Sequence, residues 1–70
     1  MHNERLVEML NDIAANQAAD PDNAVDTITL HLRRFWDPRM RAQIIAHAAS
    51  GGEGLSDDAR RAVAKLANSP

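Results

Sequence analysis

The sequence predicts an all-α protein: a small bundle of three to four short helices, forming one domain over residues 1–70. Three observations carry this. No run alternates β-branched or aromatic residues with polar ones between turn signals, so no strand is indicated. Apolar residues recur at three- and four-residue spacing in four segments. Short groups of Pro, Gly, Asp and Asn, which stop helices and make turns, separate those segments. Helices are expected over about residues 3–18, 23–36, 38–49 and 57–67. Their short connections should set neighbours roughly antiparallel.

In the first helix Leu6, Met9, Leu10 and Ile13 fall at i, i+3, i+4 and i+7 and make one apolar stripe. Asn3 suits the N-cap, and Glu4 suits the positive end of the helix dipole. Ala14, Ala15, Ala18 and Ala19 favour helix and let another helix approach closely. The run Asp20-Pro21-Asp22-Asn23 then makes a turn.

The second helix presents Val25, Ile28, Leu32 and Phe35 on one face, and Trp36 continues that face. Asp22 and Asp26 lie at its start and Arg33 and Arg34 at its end, so both termini complement the dipole. In a chain so poor in large apolar residues, Phe35 is expected in the core. Trp36 is expected at the core's edge, with its N–H toward polar neighbours. Leu30 points nearly opposite to Ile28 and Leu32, beside Arg34. It reads either as a lone surface leucine or as a contact for another protein, because the same face carries the basic cluster.

Asp37-Pro38 opens the third helix, with a carboxylate at the N-cap and a proline where a missing N–H costs nothing. Met40, Ile44, His47 and Ala48 form its inner stripe, with Ile45 on the flank. Gly51-Gly52 ends it. Residues 51–54 are expected to form a flexible loop; they lack the lysine and the strand-to-helix context of a phosphate-binding loop. Ser56 caps the fourth helix, and Asp57 and Asp58 occupy its first turn. Ala59, Ala62, Val63 and Leu66 make its short stripe, and Asn68-Ser69-Pro70 reads as a frayed end.

Composition bounds what such a bundle can do. Of its 44% hydrophobic residues, thirteen are alanines, and only seventeen larger apolar residues remain beside Met1. A core of that size rarely supplies more than roughly 3–5 kcal/mol, so stability is expected to come partly from a partner or from self-association. There is no cysteine, which removes disulfides, thiolate-bound metal and thiol catalysis. No apolar run reaches membrane-spanning length and no signal-peptide core is visible, so a soluble, cytoplasmic protein is expected. The net charge of −2 hides an asymmetry. Glu4, Glu8, Asp12, Asp20, Asp22 and Asp26 face only Arg5 in the first 26 residues, whereas Arg33, Arg34, Arg39 and Arg41 crowd one short run. The overall deficit of base argues against a dedicated nucleic-acid module.

No catalytic arrangement stands out. His31 and His47 lie on different helices, without the paired spacing of metal ligands, and read as partly buried, hydrogen-bonded histidines. His2 is expected to be disordered. The serines sit at helix ends or in the tail, and the acids spread along outer faces. The arginine run is different. Arg33 and Arg34 are favoured at a helix C-terminus, but Arg39 and Arg41 oppose the dipole of the helix they begin. The sequence offers no internal reason for those two. Arginine and tryptophan are enriched at interface hot spots. The candidate partner-binding residues are therefore Leu30, Arg33, Arg34, Trp36, Arg39 and Arg41.

The run His31-Leu32-Arg33-Arg34-Phe35-Trp36-Asp37-Pro38-Arg39-Met40-Arg41 resembles the signature of the delta subunit of NAD-dependent formate dehydrogenase. The resemblance extends to Leu6, Met9, Asn11, Ile13, Ala14 and Asn16 in the first helix, and to Gly51-Gly52, Gly54, Leu55 and Ser56 before the last. Asp12 and Gln17 depart from it. The resemblance implies a small accessory subunit without cofactors of its own. It implies a parent complex that oxidises formate with pterin-bound molybdenum or tungsten and passes electrons through iron–sulfur clusters and FMN to NAD. It also implies binding to the large alpha subunit, in support of assembly, cofactor loading or stability. Two other readings stand beside it: a small nucleic-acid-binding helical domain using the same arginines, and a self-associating bundle with Leu30 at the interface.

Overall fold

In the computed structural model, which describes residues 2–17 and 22–68, four α-helices follow one another: α1 (Asn3–Asn16), α2 (Ala24–Phe35), α3 (Pro38–Ala49) and α4 (Asp57–Asn68). The described residues contain no strand. The turn expected at Asp20-Pro21, the alanines at 18 and 19, and the frayed Ser69-Pro70 lie outside the described residues. No helix among the described residues is long and apolar enough to cross a membrane.

The four stripes close on one core. Leu6, Leu10 and Ala14 come from α1, Ala24, Ile28 and Leu32 from α2, and Ile44 from α3. Leu55 from the last loop and Ala59, Ala62, Val63 and Leu66 from α4 complete it, with Trp36 at the α2–α3 joint. The most extensive packing is between α2 and α4. Its alanines allow close approach, and buried Thr29 adds a polar stitch. The Thr29 hydroxyl donates to the Val25 carbonyl at 2.7 Å and lies 3.4 Å from the Ala62 carbonyl of the facing helix. At the surface of the same seam Lys65 pairs with Asp26. The start of α4 lies against the end of α3, and its end against the start of α3, so these two helices run antiparallel.

The caps follow from the sequence, with one exception. The Asp37 carboxylate accepts from the Met40 amide at 2.9 Å, and the Ser56 hydroxyl accepts from the Ala59 amide at 3.3 Å. The end of α3 is a Schellman arrangement: the Gly52 amide donates to the His47 carbonyl at 3.0 Å and the Gly51 amide to Ala48 at 3.2 Å. The exception is α1. His2, expected to be disordered, is its extended N-cap. Asn3 is the first helical residue, and its side chain accepts from Gln43 of α3 at 2.8 Å.

The glycine loop is pinned rather than flexible. From α1 the Asn11 side-chain amide donates to the Gly54 carbonyl at 2.8 Å, and its oxygen accepts from the Ser56 amide at 3.0 Å. His47 Nε2 bonds the Glu53 carbonyl at 2.8 Å; a carbonyl only accepts, which puts the ring proton on Nε2. Gly54 needs its identity twice over. Its φ is +86°, and a Cβ there would meet Val7 Cγ1 at 3.2 Å. One amide side chain thus joins α1 to the start of α4 through the loop.

Candidate docking surface

The surface forms where α2 ends. Its last helical residue is Phe35, because Pro38 biases the preceding backbone away from helix and Trp36 is extended at φ −92° and ψ 133°. That change of backbone decides which aromatic ring enters the core. Trp36, only 4% exposed, is packed within the core cluster rather than at its edge. Phe35 is 71% exposed, which overturns its expected place in the core. Periodicity puts Phe35 on the inner face of α2, but that end of the core is filled by the larger indole arriving from the extended segment. Phe35 is left outside, stacked on His31 with ring centroids 4.8 Å apart and planes tilted by 39°. His31 therefore differs from the expected hydrogen-bonded histidine; its ring supports the phenylalanine.

The candidate residues separate into groups. Leu30 is 49% exposed, and Arg34, one turn further along α2, is exposed as well. Leu30 and Arg34 neighbour each other, and His31 and Phe35 form a second pair about 100° further round the helix, so the exposed strip wraps obliquely across α2. Arg33 is exposed on the other side, where it faces α3. Arg41 has an internal task that the sequence did not disclose. Its Nη1 donates to the Arg33 carbonyl at 2.9 Å and to the Trp36 carbonyl at 3.0 Å. Those carbonyls lie at and just beyond the C-terminus of α2, where intrahelical partners run out. Arg41 thus latches the joint, and an arginine unfavourable to the dipole of α3 is explained by what it does for α2. Arg39 is exposed at the first turn of α3. Among the described residues it has no ion pair, so its placement against the dipole stays unexplained from within the chain.

Phe35 and His31 are the surface residues that sequence reasoning missed. The signal was present: Asp37-Pro38 stops the helix one residue before Trp36, so the two aromatics cannot share one helical face. Among the described residues no three His, Asp or Glu side chains converge as metal ligands, and the chain has no cysteine. The surface sets two large exposed apolar side chains beside Arg34 and Arg39, which form no ion pair among the described residues.

A model of the family described as NADH-dependent formate dehydrogenase delta subunit, FdsD, matches residues 5–63. Comparison with curated proteins gives no match, and neither does comparison with solved structures.

Proposed function

The chain belongs to the family of NADH-dependent formate dehydrogenase delta subunits, and from that premise we propose that it docks on the large alpha subunit through Leu30, Phe35, Arg34 and Arg39. Membership makes it an accessory part of a formate dehydrogenase complex. The observation that supports this choice of surface is Phe35, a large ring left 71% exposed in a chain that has few large apolar residues. Exposure of such a ring gives up stability that a small core needs, and covering it with a partner recovers that stability. Arg34 and Arg39 suit an acidic rim on the alpha subunit and steer the encounter.

In this reading the chain performs no redox chemistry. The pterin-bound molybdenum or tungsten, the iron–sulfur clusters, FMN and NAD belong to the other subunits. The chain has no cysteine to hold an iron–sulfur cluster, and no three His, Asp or Glu side chains converge as metal ligands among the described residues. Its contribution is to assembly, cofactor loading or stability of the alpha subunit. In the isolated chain the same exposed leucine and phenylalanine favour pairing with a second copy, which makes a dimer a substitute for the missing partner.

The test is co-expression of a tagged alpha subunit with the chain carrying Arg34→Glu and Arg39→Glu together. The doubly reversed chain is expected to fold and to be lost from the purified complex. Recovery in wild-type amount from a folded variant would rule out this surface.

A further inference from the structure

A second surface lies apart from the exposed strip of α2. The antiparallel α3 and α4 leave a groove between them, about 480 Å³ at the end near the joint, floored by Ile45, Leu66 and Ala67. It continues past Ala48 and Ala64 toward the start of α4. Cations stand at both ends. Arg41 lines the end near the joint, and Arg60 the other. No carboxylate lines either part, although the chain as a whole carries a net charge of −2.

Both arginines are held in place by backbone. Arg41 donates through Nη1 to the two carbonyls of the joint, and Arg60 donates through Nε to the Leu55 carbonyl at 3.3 Å. A guanidinium has five N–H donors in a fixed fork, so each retains donors beyond those it spends on the chain. Neither is paired with a carboxylate among the described residues. Positioned cations of this kind have lost part of their side-chain freedom before a ligand arrives.

We propose that this groove seats an acidic amphipathic helix from another polypeptide. Its small apolar floor accepts the apolar stripe of such a helix, and its two ends accept carboxylates. The spacing is specific. The Arg41 guanidinium reaches back to the joint before α3 and that of Arg60 lies beside Gly52 beyond its end, so the two charges stand about the length of the 12-residue α3 apart, on the order of 15–20 Å at the rise of an α-helix. The ligand is therefore a helix with acidic residues about eleven positions, three turns, apart, flanking alanine- or leucine-sized side chains.

The experiment is calorimetric titration of the full chain with a stapled alanine–leucine helix of about 16 residues carrying glutamates about eleven apart. A second peptide carries lysine in place of both glutamates. The acidic peptide is expected to bind at least about tenfold more tightly than the lysine peptide, and to weaken as salt rises. Ala64→Glu, an exposed position on the groove wall, and Arg60→Glu should each reduce its affinity at least about tenfold, with helical circular dichroism unchanged. Phe35→Ser should leave it unaltered, which separates this groove from the surface on α2. Equal affinity for the two peptides, indifference to Ala64→Glu in a folded chain, or no binding at millimolar peptide would overturn the proposal.

Discussion

Truncation of each aromatic residue in turn tests how the α2–α3 joint is built. Phe35 is 71% exposed, so less than a third of its surface is shielded from water. If a phenylalanine offers roughly 200 Å², about 60 Å² is covered on folding, worth at most about 1.5 kcal/mol at 25 cal/mol per Å². Trp36 is 4% exposed and packed within the core cluster, and truncating a ring of that kind costs about 3–5 kcal/mol. That equals most or all of what a core of this size supplies, roughly 3–5 kcal/mol. Phe35→Ala should therefore remain folded, with a melting temperature lowered by at most about 12 °C. Trp36→Ala should be largely unfolded at room temperature. Urea and thermal unfolding of the isolated chain, followed by helical circular dichroism, measure both. If Phe35→Ala destabilised the chain as much as Trp36→Ala, the assignment of rings to surface and core would be refuted.

Other substitutions probe the remaining parts of the account. Arg41→Met removes the donor that serves two carbonyls and should cost about 1–2 kcal/mol. Arg39→Glu, at the exposed start of the same helix, should leave stability unchanged or raise it by about 0.3–1 kcal/mol; a chemical-denaturation series on both variants checks the contrast. Asn11→Ala breaks both bonds to the glycine loop, with an expected loss of about 1–3 kcal/mol. Faster amide hydrogen exchange at Ser56 is the matching local readout. Gly54→Ala forces a side chain into positive φ and against Val7, at a cost of about 1–3 kcal/mol read from the same unfolding curves.

Much of this fold was legible because local chemistry and global packing agree. Asp37, Pro38, Ser56 and the Gly51-Gly52 pair stop and start helices by rules that act within a few residues. The stripe of Leu6, Leu10, Ile28, Leu32, Ile44 and Val63 needs only periodicity. Phe35 and Arg41 were not legible in the same way, because both depend on a contact across the joint. Periodicity assigns Phe35 to the core until an extended Trp36 fills that end first. Arg41 looks gratuitous on its own helix, and its partners are carbonyls on the preceding one. Asn11 is similar: a polar residue beside an apolar stripe gives no sign in sequence that it holds a loop more than forty residues away. The exposed Leu30 was visible as an oddity, whereas the exposure of Phe35 was signalled only indirectly, by the helix stop at Asp37-Pro38.

The central claim is that Phe35 is left outside so that a partner can cover it. The most direct measurement is the affinity of the purified chain for the alpha subunit of the complex, wild type against Phe35→Ser, with folding of both chains checked first. A buried aromatic anchor is worth about 2–4 kcal/mol at an interface, so the variant should bind roughly thirty- to thousandfold more weakly. Equal affinity of a folded Phe35→Ser chain would contradict the account.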